Sequence, residues 1–281
     1  MLSVCAPSSN LHIWFTLDIE TVDFDAARRF GGLDRLYGAA GASSIRGSHI
    51  MVVGVGGVGS WAVEALARSG VGRITMVDMD HVSESNINRQ VHATQQTLGQ
   101  SKIIAMQDRI ALINPECVVK CIDDFVTPEN WQSLVTADVD VVIDACDQVH
   151  AKVAMAAWAM RQKNAKTFFV SVGAAGGKRL AHLVDIDDLS KTTHDPLLAQ
   201  LRYRLRKEHA APKEGRKIGV NCIFSREAVK QPTTSNTPSN VTSITDSTLN
   251  CHGYGSVVSV TATFGQCAAG WALDKLANLA E

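Results

Sequence analysis

The run from His49 to Asp78 restricts this chain more than any other. A short apolar strand, His49–Val53, leads straight into Gly54-Val55-Gly56-Gly57-Val58-Gly59. A helical pattern then covers Ser60–Ser69, with Val63, Leu66 and Ala67 on one face, and a second strand, Arg73–Val77, ends at Asp78. A strand, a G-x-G-x-x-G turn, a helix and a strand ending in an acid about 20 residues on form a nucleotide-binding fingerprint. The glycines let backbone approach phosphate, the helix N-terminus adds partial positive charge, and Asp78 stands where ribose hydroxyls are bound. NAD and ATP can both use such a loop, so the fingerprint fixes the ligand class and not the ligand.

The pattern continues along the chain. Strands are expected at Val118–Ile122, Val139–Ile143 and Thr167–Val172, with helices at Gln100–Ile113 and Ala151–Arg161 between them. Alternating strands and helices joined by right-handed crossovers give an α/β, Rossmann-like doubly wound fold: a mostly parallel sheet with helices on both faces. With 281 residues, 46% hydrophobic and 20% charged, the chain suits one large domain and excludes a disordered, collagen-like or disulfide-scaffold protein. Residues 1–22 read as an extension, because the apolar Leu11–Leu17 run lacks the basic flank of a secretory signal. Residues 23–281 read as one domain. It has a nucleotide-binding core at 49–180 and a substrate-facing α/β extension at 181–281, which includes a Ser/Thr/Asn-rich loop at 232–250 expected to be mobile. The seven cysteines are odd in number, irregularly spaced and free of any CxxC pair, which predicts a reducing, cytoplasmic setting and no cysteine-rich zinc site.

Charge near the fingerprint narrows the ligand. Ser85-Asn86-Ile87-Asn88-Arg89-Gln90 follows the acidic strand end, Lys102 comes next, and Asp144-Ala145-Cys146-Asp147 ends the fourth strand at the crevice. ATP carries about twice the charge of a dinucleotide pyrophosphate, and its reaction builds more on the leaving group. That chemistry calls for fixed cations and a carboxylate-held metal. Arg89, Lys102 and Asp147 supply such a set, and a dehydrogenase would not need it.

These residues resemble the ubiquitin-activating-enzyme-like superfamily of ATP-dependent carboxylate adenylators. The shared parts are Gly54–Gly59, Asp78-Met79-Asp80, Ser85–Gln90, Lys102 and Asp144–Asp147. The resemblance implies that Gly54, Gly56, Gly57 and Gly59 hold phosphate and that Asp78, with Asp80, takes the ribose end. It further implies that Asn86, Arg89 and Lys102 contact the triphosphate and that Asp147 holds Mg2+. Arg28–Gly38 looks like an opening helix that offers an arginine, Arg35 first and Arg29 second, to the ATP of a neighbouring subunit in a homodimer. Further stretches resemble a narrower family, the tRNA threonylcarbamoyladenosine dehydratases. They are residues 28–33, 113–117, 123–130, 173–177, 195–199, 221–227 and 260–265. That family implies ATP-dependent closure of the threonylcarbamoyl side chain of tRNA through an adenylated carboxylate, with no stable protein-carrier substrate. Activation of a sulfur-carrier or ubiquitin-like C-terminus is the competing adenylator reading.

The C-terminal third carries an independent signal for nucleic acid. Between Leu198 and Lys230 nine cationic residues stand against three acidic ones, in a chain with a formal net charge of -1. Leu197–His209 reads as a basic helix with Leu198, Leu201 and Leu205 turned inward. Arg202, Arg204, Arg206, Lys207, Lys213, Arg216 and Lys217 form the candidate tRNA contact, near the anticodon stem-loop. The small residues of 173–177 would let substrate or a monovalent cation reach the backbone. Cys222 and Cys251 are the two thiols that could serve a cysteine-desulfurase or sulfur-acceptor partner, with a buried packing role the simpler reading. No charge occurs between Asp246 and Asp274. A buried strand followed by a helix at Trp271–Ala280 is the expected structure there, with peripheral membrane association through 247–273 as the other outcome.

Overall fold

The computed structural model describes residues 23–162, 167–213, 215–230 and 254–280. The extension 1–22, the loop 232–250 and Cys251 lie outside the described residues. Seven strands form one sheet: β1 His49–Val53, β2 Arg73–Val77, β3 Val118–Ile122, β4 Val141–Asp144, β5 Phe168–Val172, β6 Val184–Asp188 and β7 Asn221–Ser225. Their order is β3-β2-β1-β4-β5-β7-β6. Every neighbouring pair is parallel except β6 with β7. The helices are α1 Ala26–Gly47, α2 Gly59–Arg68, α3 Lys102–Ile113, α4 Trp131–Leu134, α5 Val149–Arg161, α6 Pro196–Glu208 and α7 Val258–Ala277.

The central strands alternate their side chains between two cores, as the period of 2 requires. Ile50, Val52, Ile74, Met76, Val141, Ile143 and Val170 face α2, α3 and α7. Met51, Val53, Val77, Val142 and Phe169 face α4, α5 and α6. Both faces are covered, so these strands read as continuous apolar runs. The order in which successive strands are added reverses between β1 and β4, with β2 and β3 on one side and β4 and β5 on the other. The crevice beyond their carboxyl ends is therefore where a ligand binds in an open α/β sheet.

Residues 184–188 and 221–225 of the C-terminal extension are strands that extend the same sheet. One expectation for this region fails. The uncharged segment is not a strand followed by a short helix: its described part is the single 20-residue helix α7. Val260, Phe264, Ala268, Ala269, Ala272 and Leu273 of α7 are buried in the core against α1, α2 and the sheet. That packing accounts for the missing charge in the described part of the segment and gives no support to peripheral membrane association. No helix among the described residues is long and apolar enough to cross one. Gly265 is where the helices come closest: a Cβ there would stand 2.5 Å from Val58 O and 2.8 Å from Ala62 N.

One buried group gives a pH dependence. His92 is 2% exposed, neither ring nitrogen has a hydrogen-bond partner among the described residues, and burial lowers its pKa to about 4. Lys102 and Arg109 push it the same way. The unfolded chain takes up this proton near the ordinary value of 6.5, whereas the folded chain refuses it until about 4. The native state is therefore fully favoured above pH 6.5 and loses that advantage as pH falls through the window. By this group alone the fold should be about 2 kcal/mol less stable at pH 5 than at pH 7. Urea unfolding at the two pH values checks it. A His92→Leu variant should show a visibly smaller difference, and an unchanged one would refute the assignment.

Candidate active site

A cavity of about 550 Å³ opens at the β1/β4 switch point. Its walls are the turn after β1, the carboxyl end of β2 and the 80–90 loop, the start of α3, the turn after β4, and residues 173–176 after β5. Gly54, Gly56, Gly57, Asp78, Asp80, Asn86, Arg89, Lys102 and Asp147 all line it. Residues spread over 94 positions of sequence thus meet in one place because five parallel strands end together.

The phosphate turn is built by close approach. Gly54 has φ +85°, and a Cβ on it would lie 2.9 Å from Cys146 N. Only glycine lets the turns after β1 and β4 touch there. Gly59 does not line the cavity. It is the first residue of α2, and a Cβ would fall 1.8 Å from Gly54 O, so its task is to seat the helix on the turn. Asp78 fastens the same turn: Oδ2 accepts from Val55 N (2.6 Å) and Oδ1 from Asp80 N (2.9 Å). Burial raises its pKa, while Lys102 and these two N–H groups hold it down.

The cations converge from the other side. The Lys102 side chain is 8% exposed and pairs with Asp80 Oδ2 at 2.7 Å. The Arg89 side chain lies across the phosphate turn, with Cγ and Cδ 3.3 Å from a notional Cβ on Gly57. Its guanidinium donates to Ser85 O and to Asn88 Oδ1 (3.0 Å). Asn86 is buried and fixed as a cap, accepting from Ser83 N (3.1 Å). Asp147 is exposed at the crevice mouth. Among the described residues no cluster of three or more His, Cys, Asp or Glu could hold a metal alone. A single exposed carboxylate beside a phosphate turn fits a magnesium carried in by a nucleotide, which takes one or two protein carboxylates plus phosphate oxygens.

The remaining candidate residues separate clearly. Arg35 is exposed and makes no hydrogen bond or ion pair among the described residues, whereas Arg29 donates to Ile113 O (2.8 Å) and lies over Phe24. Neither lines the chain's own cavity. On α6, Arg202 is half-buried and spends Nη1 on Leu189 O (2.9 Å), Thr192 O (3.0 Å) and Thr192 Oγ1 (2.9 Å). Arg206 Nε donates to Pro212 O (3.1 Å). The outward cations are Arg204, Lys207, Lys213, Arg216 and Lys217. Arg204 Nη1 lies 3.1 Å from His150 Nδ1, and Lys207 Nζ stands 5.7 Å from the ring centroid of Tyr203. His150 lies on the first turn of α5, just past Asp147 and Gln148 at the cavity mouth. Arg204 thus reaches the edge of the site through His150. Cys222 is fully buried and burial pushes its thiol far up, so it is not placed to accept sulfur.

Several lining residues escaped the sequence. Phe125 and Val126 close the β3 side, while Pro196, Leu197, Val229 and Tyr254 close the β5 side. Beneath the floor, Lys152 and Asp144 form an ion pair of 3.0 Å with both side chains 0% exposed. Burial lowers the lysine's pKa, but Asp144, with Cys146 and Cys222 beside it, raises it by more, and the net shift is upward, so the ammonium stays charged. The signal for Lys152 was a lone cation among Ala151, Val153, Met155 and Ala156 of a helix otherwise apolar on that face.

The pattern of the ThiF family matches residues 32–281. The tRNA threonylcarbamoyladenosine dehydratase of Haemophilus influenzae is 43% identical over 251 residues, 89% of this chain and 93% of the relative. That of Escherichia coli is 44% identical over 253 residues, with the same two coverages. The chain belongs to the ThiF family, in its tRNA threonylcarbamoyladenosine dehydratase branch. Crystal structures of the Escherichia coli family member agree. Its complex with AMP superposes with a TM-score of 0.79 at 42% identity, covering 90% of this chain and 96% of that one. Its complex with ATP gives 0.78 with the same identity and coverage. The family's fold, a mostly parallel α/β sheet of adenylating type, is the fold found here.

Proposed function

We propose that this chain uses ATP to dehydrate threonylcarbamoyladenosine in tRNA: it adenylates the threonyl carboxylate and lets the side chain close on itself. The observation that carries this is the whole-chain likeness to an enzyme of that name solved with AMP and ATP, joined to a cavity that gathers Arg89, Lys102 and Asp147 over a phosphate turn. This reading orients the nucleotide along the cavity. The base lies toward Phe125 and Val126, the ribose at Asp78 and the phosphates at Gly54–Gly57 with Asn86, Arg89 and Lys102. The substrate then lies over residues 173–176, beside Pro196, Leu197 and Tyr254. Magnesium, when bound at Asp147, neutralises charge on the phosphates.

The chemistry follows from that layout. A free carboxylate resists attack because oxide is a poor leaving group. One of its oxygens bonds to the α-phosphorus as the bond to pyrophosphate breaks, giving a mixed anhydride. The carbamoyl group of the same side chain then attacks the activated carbon, loses a proton and expels AMP, which closes the ring. Nucleophile and electrophile share one side chain, so proximity supplies much of the rate. The protein's tasks are orientation, charge neutralisation and exclusion of water. Arg35, without a hydrogen bond or ion pair among the described residues, is available to the ATP of a second copy in a homodimer.

The test is mass spectrometry of nucleosides from tRNA bearing the open threonylcarbamoyl group, incubated with protein, ATP and magnesium. A species lighter by one water is expected, and its absence from a folded, ATP-binding preparation would sink the reading. Pyrophosphate exchange that depended on a small protein ending in Gly-Gly would favour the carrier-adenylating alternative instead. The tRNA face is tested separately. An Arg204→Ala/Lys207→Ala variant should weaken tRNA binding, reduce its salt slope by about 2 and leave ATP affinity unchanged. A filter-binding series in salt reads all three.

A further inference from the structure

The buried cation under the cavity floor has a task that sheet pairing does not explain. Lys152 Nζ donates to Asp144 Oδ2 (3.0 Å), Asp144 O (3.4 Å), Ser171 Oγ (3.3 Å) and Val172 O (2.7 Å). Ser171 Oγ donates in turn to Asp144 Oδ2 (2.6 Å). β4 and β5 already pair directly, with Asp144 opposite Ser171. Two strands held by their ladder do not need an ion pair as well, and apolar residues of equal volume often replace a buried pair without loss of stability.

What the ammonium adds lies at the strand ends. Asp144 faces two ways: Oδ2 meets Lys152 and Ser171 below, and Oδ1 accepts from Cys146 N (3.3 Å) and Cys146 Sγ (3.0 Å) above. That second set shapes the turn carrying Asp147. Val172 is the last residue of β5. The next two are fixed as well, Gly173 N donating to Ile223 O (2.8 Å) and Ala174 N to Asp195 Oδ2 (2.9 Å). Lys152 thus grips the roots of both loops that face each other across the cavity, one bearing the metal-binding carboxylate and the other forming the substrate wall.

We propose that Lys152 is a positioning residue for adenyl transfer, whose ammonium fixes the spacing between the Asp147 turn and the 173–176 wall and so aligns the acceptor carboxylate with the α-phosphorus. This rests on the dehydratase reading above. Asp78, Arg89 and Lys102 stand away from the β4 and β5 ends, and Gly54, which meets the β4 turn at Cys146 N, is also held from the β2 side by Gly54 N donating to Val77 O (2.9 Å). Loss of Lys152 therefore acts on the chemical step and spares nucleotide affinity.

The test must avoid leaving Asp144 buried and unpaired, so it uses the double variant Asp144→Asn/Lys152→Met, with Ser171→Ala as a milder second probe that removes one hydroxyl. Calorimetric ATP affinity, melting temperature, and kcat and KM for dehydration of threonylcarbamoyl-tRNA are measured for each. The double variant is expected to bind ATP within threefold of wild type while kcat falls at least 100-fold. Ser171→Ala should lose about tenfold in kcat at unchanged KM. Wild-type kcat in either variant, or a loss of ATP affinity that matches the loss of kcat, would overturn the inference. Wild-type protein inactive on this tRNA would instead overturn the dehydratase reading, and the inference with it.

Discussion

Replacing Lys102 by alanine should lower ATP-dependent AMP formation by about 10²–10³-fold, with only a small loss of stability. The size follows from its surroundings. Its side chain is 8% exposed in the wall of the cavity, where a buried fixed cation is screened less than one in bulk water. Removing one preorganised charge-stabilising group from such a site costs about 2.7–4 kcal/mol at the transition state. The fold should survive because the partner left behind, Asp80, has a side chain 55% exposed and is solvated at once. Charge on the leaving pyrophosphate grows during the reaction, so the effect falls on kcat more than on ATP affinity. Lys102→Arg should recover only part of the rate, since a planar guanidinium presents different donors from a compact ammonium. Single-turnover AMP release, with circular dichroism as the control for folding, decides it. A loss under threefold would remove Lys102 from the triphosphate site.

Phe264→Ala should be the most destabilising single truncation in α7. The ring is 0% exposed within the core shared by α2, α7 and the sheet. Truncating a buried Phe costs about 3–5 kcal/mol. For a chain of this size that lowers Tm by roughly 6–20 °C. The nucleotide site should feel it, because α7 packs along α2, which begins where the phosphate turn ends, and Thr261 of α7 lines the cavity. ATP affinity should therefore fall as the melting temperature is approached, before global unfolding. Leu279→Ala is the control: that residue is 59% exposed, and its loss should stay within about 0.5 kcal/mol. Equal melting temperatures for the two variants would contradict the packing described.

The parallel part of the sheet was legible because burial on both faces turns β1, β2 and β4 into short, mostly apolar runs rich in Val and Ile. The phosphate turn was legible because Gly54 and Gly59, at its two ends, are demanded by contacts under 3 Å. β6 was not. Val184-Asp185-Ile186-Asp187-Asp188 is an antiparallel edge strand with Ile186 37% exposed, so three carboxylates in five residues are tolerated there. α7 was misread because close helix packing selects Gly, Ala, Ser and Thr, the same small residues that blur a helical period. The candidate site divides in the same way. Residues that meet phosphate carry charge and declare themselves, whereas Phe125, Leu197 and Tyr254 are apolar surfaces whose meaning comes only from the crevice they face. Arg202 and Arg206 joined the basic patch by sequence, but tertiary acceptors at Leu189, Thr192 and Pro212 claim them first.

The embrace of α2 by α7 also has a consequence in time. The phosphate turn and α2 are made early, yet the helix that covers them begins at Val258, 190 positions after α2 ends at Arg68. At about 5–20 residues per second, a ribosome needs roughly 10–40 s to reach it. During that interval the α7-facing side of α2 lacks its cover, and the ATP site lacks one wall. Nascent chains of this protein are thus expected to recruit hydrophobic-surface chaperones between those two moments and to acquire nucleotide affinity only after α7 has emerged.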